Sequence, residues 1–155
     1  MPADDDNLVK IGIRDGDGDV ETPWAQRLGN NLFRLDNIPF FAYRISADDI
    51  VEAFPEADGF LMFRRVVKKS GNRTLRMILT EPVDIEPGPT LLAELKRLGC
   101  TFEGATEKLI CVNIPPSACL SEVAERLSDF PIEWEYADPT YEDLFPSGDA
   151  YSTPL

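Results

Sequence analysis

The chain has 155 residues, enough for one domain or two very small ones. Hydrophobic residues make up 43% and charged residues 28%, a balance that excludes a wholly disordered chain. The net charge is −13, histidine is absent, and no stretch approaches the roughly 20 consecutive apolar residues of a membrane span.

The first half of the sequence predicts short β-strands joined by turns. Val9, Ile11 and Ile13 alternate with more polar residues, as in a half-buried strand. Residues 29–31 (Gly-Asn-Asn) are typical of a hairpin turn, and residues 55–59 predict a second hairpin between strands at 49–54 and 60–69. Such short strands predict a small twisted sheet or an SH3-like barrel.

The second half predicts two helices among four strands. Thr90 and Gly99 are placed to begin and end a helix that carries Leu91 and Leu95, and Ser117 is placed to cap the next. The strands are expected at 74–80, 101–106, 108–114 and 132–136. The resulting order β-α-β-β-α-β is typical of the ferredoxin-like arrangement.

We therefore expect an α+β protein with three parts. A β-rich unit at residues 8–72, either a small twisted sheet or an SH3-like barrel, precedes a ferredoxin-like half at 73–137, and an acidic surface tail follows at 138–155. Only a tight turn separates the strands on either side of the first boundary, so the two halves are expected to behave as one cooperative unit.

The cysteines and the N-terminus predict a cytoplasmic location. Cys100, Cys111 and Cys119 are an odd number without a CxxC pair, and Cys111 and Cys119 have apolar neighbours, so reduced core thiols are expected. The acidic start, Met1 to Asp6, does not resemble a secretory signal.

Four ordered blocks of sequence resemble one bacterial family. They are WAQRLGNNLFRLDNIPFFA (24–42), DDIVEA (48–53), RVVKKSGNRTLR (65–76) and LGCTFEG (98–104). The chain is similar, from about Leu8 to Tyr136, to the family known only as domain of unknown function 4265. This resemblance implies a small, stand-alone, intracellular bacterial protein, and it brings no established activity, cofactor or catalytic residue. The acidic tail departs from the family pattern.

No constellation in the sequence predicts a catalytic or metal site. The loop from Asp15 to Asp19 has the spacing that starts an EF-hand, but Val20 and Gln26 stand where glycine and glutamate are needed. No nucleotide-binding or nucleophile motif is present. We therefore expect no catalytic residue, no metal and no cofactor, with an uncharacterised enzyme kept as an alternative.

A stretch of basic residues forms a possible nucleic-acid site. Residues 59–80 lack Asp and Glu and contain six cations: Arg64, Arg65, Lys68, Lys69, Arg73 and Arg76. Phosphate contacts could use this basic ribbon (residues 64–76), but a net charge of −13 repels a polyanion. We expect the ribbon to pair with acidic segments of the protein itself, without a nucleic-acid partner.

The C-terminal segment from Ser121 to Leu155 is acidic and aromatic. Nine acidic residues and one basic residue are interleaved with six aromatic ones, a composition typical of protein-binding surfaces. Trp134 is expected in the core. The predicted partner-binding residues are Glu133, Glu135, Tyr141, Glu142, Asp143 and Phe145.

These observations favour a non-enzymatic protein-binding module with a basic protein partner and no membrane partner. The most concrete hypothesis is an acidic immunity protein that neutralises a basic toxin enzyme by blocking its cleft. A small-metabolite-binding regulatory domain of ferredoxin-like fold is the first alternative, and an enzyme or a nucleic-acid binder is the second.

Overall fold

A computed structural model describes residues 7–146, which form two larger β-sheets, a two-stranded ribbon and three helices. The protein is therefore mixed α/β, with mostly antiparallel sheets and few helices. In chain order the elements are β1 (Leu8–Lys10), β2 (Ile13–Arg14), β3 (Val20–Glu21), β4 (Trp24–Gly29), β5 (Leu32–Leu35), β6 (Ile50–Pro55), β7 (Leu61–Lys68), β8 (Arg73–Ile78), α1 (Gly88–Arg97), β9 (Thr101–Gly104), β10 (Leu109–Ile114), α2 (Leu120–Leu127), β11 (Glu133–Asp138) and α3 (Tyr141–Leu144).

The first sheet has the strand order β1-β4-β5-β6-β7 and curls back on itself. The backbone N–H of Gly12 donates to the carbonyl of Leu61 at 2.8 Å, and its carbonyl accepts from Phe63 N–H at 2.8 Å. The last strand therefore lies against the segment that follows the first. Fully buried Phe33 and Val51 belong to the core of this sheet.

Both predicted hairpins of the first half are present. β4 and β5 are joined through Asn30 and Asn31, whose φ angles of 58° and 63° lie in the left-handed region that asparagine tolerates. β6 and β7 pair antiparallel around the turn at residues 56–60.

The second sheet has the strand order β11-β8-β10-β9, with every neighbouring pair antiparallel. Its elements follow one another as strand, helix, strand, strand, helix, strand, the order expected from the sequence. Leu75 and Met77 of β8 pack with Leu95 of α1 and Leu127 of α2 in one buried cluster. The two helices therefore cover one face of the sheet and form the core with it.

Both helices of the second half begin away from the predicted caps. α1 starts at Gly88, after Pro87, and the Thr90 hydroxyl instead donates to Glu86 Oε1 at 2.6 Å. Glycine is needed at 88 because a side chain there would collide with the Val83 carbonyl.

The N-cap of α2 is Cys119 rather than Ser117, because residues 115–118 form a turn of their own. The predicted end of α1 at Gly99 (φ 92°) is confirmed.

The opposite face of the second sheet is partly covered by the bridging segment, residues 36–49, which joins β5 to β6. One row of side chains crosses all four strands in register, and it consists of Glu135, Arg76, Cys111 and Glu103. Glu103 accepts from the backbone N–H of Ile38 at 3.1 Å, and Arg76 donates to the carbonyl of Ala42 at 2.7 Å. Glu21 also accepts from three successive backbone N–H groups of this segment, at 2.7–2.9 Å.

The structure differs from the expected surface tail at its start. Asp138 belongs to β11 and is buried, and residues 141–144 form α3. The local reason is that Thr140 and Asp143 form a capping box, a device that stabilises a helix start. Residues 147–155, the rest of the predicted tail, lie outside the described residues.

Candidate functional site

The acidic and aromatic residues predicted to bind a partner cluster around β11, at the edge of the second sheet. Glu135 and Glu142 line one cavity of about 370 Å³, whose other walls are mainly aromatic. Its aromatic residues are Tyr43, Trp134, Tyr136 and Tyr141. We call this cavity, with its eight lining residues, the β11 cleft; Arg44 and Thr140 complete it.

The other predicted residues lie beside this cleft rather than in it. Glu133 lines a second cavity of about 230 Å³ together with Ile78, which is 54% exposed. Phe145 lines a third cavity of about 300 Å³ against α2. Trp134 lines all three cavities. The core prediction for Trp134 is therefore incomplete, because its half-buried ring packs on the core and also faces the surface.

Glu135 is held in place by two donors. Its carboxylate accepts from Arg76 Nε at 3.2 Å and from the Tyr43 hydroxyl at 2.9 Å. The Arg76 side chain is 4% exposed, and its guanidinium lies 4.8 Å from the centre of the Tyr43 ring. Burial, followed by the hydrogen bond to Glu135, raises the pKa of Tyr43, so its hydroxyl stays a neutral donor. The carboxylate of Glu135 is thus oriented, and its charge is partly compensated.

Asp143 has an intramolecular role at the start of α3. Its backbone N–H donates to Thr140 Oγ1 at 3.2 Å, and its carboxylate accepts from Arg44 Nε at 3.1 Å. The hydrogen bond from Arg44, followed by those from the backbone and side chain of Thr140, lowers the pKa of the carboxyl group. Glu142, which is exposed in the cleft, is the better candidate for a contact with a partner.

Tyr141 and Phe145 belong to an aromatic cluster within the chain. The ring centre of Tyr136 lies 5.0 Å from that of Trp134 and 6.4 Å from that of Tyr141, and the rings of Tyr141 and Phe145 are 4.8 Å apart. Such contacts fix α3 against β11. Tyr141 and Phe145, which the sequence predicts to bind a partner, therefore also help to hold the fold.

Two residues that line the cleft, Tyr43 and Arg44, were not predicted from the sequence. Tyr43 and Arg44 come from the bridging segment, 92 and 99 positions away from their hydrogen-bond partners Glu135 and Asp143. Arg44 has a φ of 65°, and its backbone N–H donates to the carbonyl of Ala137 at 2.9 Å. A basic residue in the left-handed region carries no sequence pattern that would place it against a strand so far along the chain.

Comparison with known proteins identifies the family. The sequence model of the family described as Domain of unknown function (DUF4265) matches residues 21–135. The chain belongs to this family. No match was found among curated proteins.

A solved structure shares the fold of this DUF4265 protein. The chain is similar to a crystal structure described as a hypothetical protein from Neisseria gonorrhoeae, with 20% sequence identity and a TM-score of 0.68. The match covers 87% of this chain and 96% of that one. At this level of identity the likeness concerns the fold alone.

Most cations of the basic ribbon are engaged inside the DUF4265 protein. Arg65 pairs with Glu52 at 3.1 Å, Arg73 donates to the carbonyls of Pro115 and Ala118, and Arg76 is buried beneath the bridging segment. This supports the expectation that the ribbon pairs with the protein's own groups.

Lys69, also in the ribbon, belongs to a largely buried polar network between the two sheets. Its ammonium lies 2.5 Å from a carboxylate oxygen of both Asp49 and Asp138. The Ser46 hydroxyl donates to Asp138 at 2.6 Å and is 2.7 Å from that of Thr74. The network connects the bridging segment, the basic ribbon and β11.

The three thiols differ in their surroundings. Burial raises the pKa of Cys100 to about 11 and that of Cys111 to about 12. Cys119 is exposed, and hydrogen bonds from the Ser121 side chain and from backbone at the start of α2 lower its pKa. The prediction of a core thiol is wrong for Cys119, because its neighbours Ala118 and Leu120 pack against the core while Cys119 itself is the exposed N-cap of α2.

The remaining sequence candidates have simple structural roles. In the acidic loop, Asp15 Oδ1 accepts from the backbone N–H groups of Asp17 and Asp19 at 2.9 and 3.0 Å. Within residues 7–146, no group of three or more His, Cys, Asp or Glu side chains is arranged to hold a metal ion. Among the helices of residues 7–146, none has the length and hydrophobicity of a membrane-spanning segment.

Proposed function

We propose that this DUF4265 protein is a non-enzymatic, cytoplasmic protein-binding module that recognises a basic protein through the β11 cleft. The observation that carries the proposal is the cleft itself, where the carboxylates of Glu135 and Glu142 stand among four aromatic rings. Aromatic anchors provide much of the binding energy at protein interfaces, and a net charge of −13 speeds encounter with a cationic surface.

The most concrete form of the proposal is an immunity protein that blocks the cleft of a basic toxin enzyme. Such a role requires a small acidic surface with an accessible anchor, and the half-exposed ring of Tyr43 next to Glu135 fits that requirement. The function needs no catalytic group of the chain itself.

We further propose that the two sheets correspond to an SH3-like unit and a ferredoxin-like half. The strand order β11-β8-β10-β9, with both helices on one face, supports the second assignment. The return of β7 to Gly12 supports a small, nearly closed barrel for the first.

The proposal is tested by affinity capture from bacterial extracts followed by mass spectrometry. The bait is the full chain, compared with a variant that carries Glu133→Lys and Glu142→Lys. The matched control carries Asp17→Lys and Asp19→Lys, two exposed positions of the acidic loop in the first half. The same charge change is thereby made away from the cleft.

We expect a basic protein to be captured by the wild type and by the control, and to be lost with the Glu133→Lys, Glu142→Lys variant, which reverses one charge in the cleft and one beside it. A captured enzyme that loses its activity on addition of the full chain would support the immunity role. Equally strong capture by the Glu133→Lys, Glu142→Lys variant would contradict the proposed binding site. Capture of acidic proteins only would contradict recognition of a basic partner.

A further inference from the structure

β11 is an edge strand whose outer side is partly unoccupied. Among residues 7–146, its only strand neighbour is β8. The outer side is covered at Ala137, whose carbonyl accepts from Arg44, and at the bridge between Ala137 and Thr140. No described segment pairs with the outer side of residues 133–136. Alternate residues of an edge strand direct their backbone N–H and C=O groups outward, where a further strand can bind them.

The two faces of this short edge differ in chemistry. Glu133 and Glu135 point to the face that the bridging segment covers in part, here called the carboxylate face, and Trp134 and Tyr136 point to the helix face, because side chains alternate along a strand. The cavity of about 230 Å³ lies on the carboxylate face and the cavity of about 300 Å³ on the helix face, and the β11 cleft shares lining residues with both. A strand laid along β11 would therefore place successive side chains into an acidic and an aromatic environment in turn.

We propose that the partner binds by adding an extended segment to β11 as a further β-strand, with lysine or arginine alternating with apolar residues. The cationic side chains meet Glu133 and Glu135, and the apolar ones meet Trp134 and Tyr136. The inference rests on the proposed function and adds to it the mode of binding and the sequence pattern of the ligand.

Charge complementarity selects this occupant over a second copy of the chain. Two copies paired edge to edge along β11 would bring Glu133 and Glu135 close to the same carboxylates of the other copy. Like charges opposite one another across two strands are destabilising, whereas opposite charges stabilise the pair. A cationic strand satisfies both the backbone edge and the carboxylates.

The test measures the binding of capped synthetic peptides to the full chain by calorimetry. The first peptide alternates lysine and valine over about eight residues, which is longer than the unpaired edge of β11. Peptides that add a strand to an exposed sheet edge bind in this extended form. The second has the same composition with all lysines before all valines. Two further versions of the first carry N-methyl groups on one or the other set of alternate amides, which removes the backbone donors on one side of the strand.

We expect the alternating peptide to bind at least about tenfold more tightly than the block peptide, a difference of about 1.4 kcal/mol. One N-methylated version should lose at least that factor and the other should bind nearly unchanged, because only one side of an added strand faces β11. Binding should weaken in the variant with Glu133→Lys and Glu142→Lys and persist in the one with Asp17→Lys and Asp19→Lys.

The outcomes separate the mode of binding from the proposed function. Equal binding of the alternating and block peptides, still sensitive to Glu133→Lys and Glu142→Lys, would overturn strand addition while the acidic cleft remains a site for basic ligands. Equal loss on both kinds of N-methylation would also overturn it. Absence of binding by every peptide would overturn strand addition, and the capture experiment would then decide the proposed function independently.

Discussion

Lys69 pairs with two buried carboxylates at the contact between the two sheets. Asp49 is fully buried and Asp138 is 7% exposed, so both carboxylates have lost most of their water. A buried carboxylate is tolerated only when it is paired and hydrogen-bonded. The single ammonium of Lys69 pairs with both carboxylates, and Lys69 is the first residue after the end of β7.

We predict that Lys69→Met lowers the free energy of unfolding by about 2 kcal/mol or more. Removing one partner of a fully buried pair costs about 3–5 kcal/mol, and the smaller value is expected here because the Lys69 side chain is 45% exposed and water can partly replace it. Urea denaturation provides the measurement. Lys68→Met is the control, since Lys68 is exposed and its loss should have little effect. Equal losses in the two variants would show that the network contributes no more than a surface charge.

At the scale of secondary structure, α3 is stabilised by its cap and not by its length. Four residues cannot form a stable helix by themselves. The helix is held by the Thr140–Asp143 capping box, by the ion pair with Arg44 and by the rings of Tyr141 and Phe145 against Tyr136. Because α3 forms one wall of the β11 cleft, its stability determines the shape of the candidate site.

We predict that Asp143→Asn lowers the melting temperature near neutral pH and that the difference from the wild type disappears in acid. The pKa of Asp143 is lowered in the folded state, so its carboxylate stabilises the fold above the usual value of 3.8. This contribution is lost as the pH falls through the folded-state pKa. Thermal melting of both proteins over a series of pH values measures it.

The neighbouring residue provides the control for that experiment. Glu142→Gln removes the same charge from the same helix at an exposed position, and it should leave the melting temperature nearly unchanged. A difference between Asp143→Asn and the wild type that is independent of pH would indicate lost packing, and the proposed role of the Arg44 ion pair would then be wrong.

At the scale of the whole molecule, the bridging segment makes the two sheets depend on each other. It follows β5 of the first sheet, crosses the Glu135–Arg76–Cys111–Glu103 row of the second, and returns to β6. Ile38, Ala47 and Cys111 form a small buried cluster at this contact. A segment that belongs to one sheet and is buried by the other cannot keep its hydrogen bonds when either sheet unfolds.

We predict that the described part of the chain unfolds as one cooperative unit. Leu127→Ala removes a fully buried side chain from the core of the second sheet and should cost about 2–5 kcal/mol. Native-state hydrogen exchange should then show the same loss of protection for the slowest amides of β6, in the first sheet, as for those of β10. Unchanged protection in β6 would show that the first sheet unfolds independently.

The sequence by itself determined the two hairpins of the first half, the order of the elements of the second sheet, and the exposed carboxylates of β11. Periodicity is local: Leu91 and Leu95 indicate a helix, and the alternation through Trp134 and Tyr136 places Glu133 and Glu135 on the opposite face. The family resemblance was likewise available in four ordered blocks of sequence and is confirmed over residues 21–135.

Only the tertiary structure decided which of these residues form a cleft. Tyr43 lies 92 positions from Glu135, and no local pattern encodes their hydrogen bond. Local patterns likewise do not encode the hydrogen bond from Arg44 to the carboxylate of Asp143. They also do not show that Cys119 is exposed, because its neighbours in sequence are apolar. Such contacts arise from the packing of one sheet against the other, which depends on many distant residues at once, whereas a strand or a helix depends on the few residues next to it.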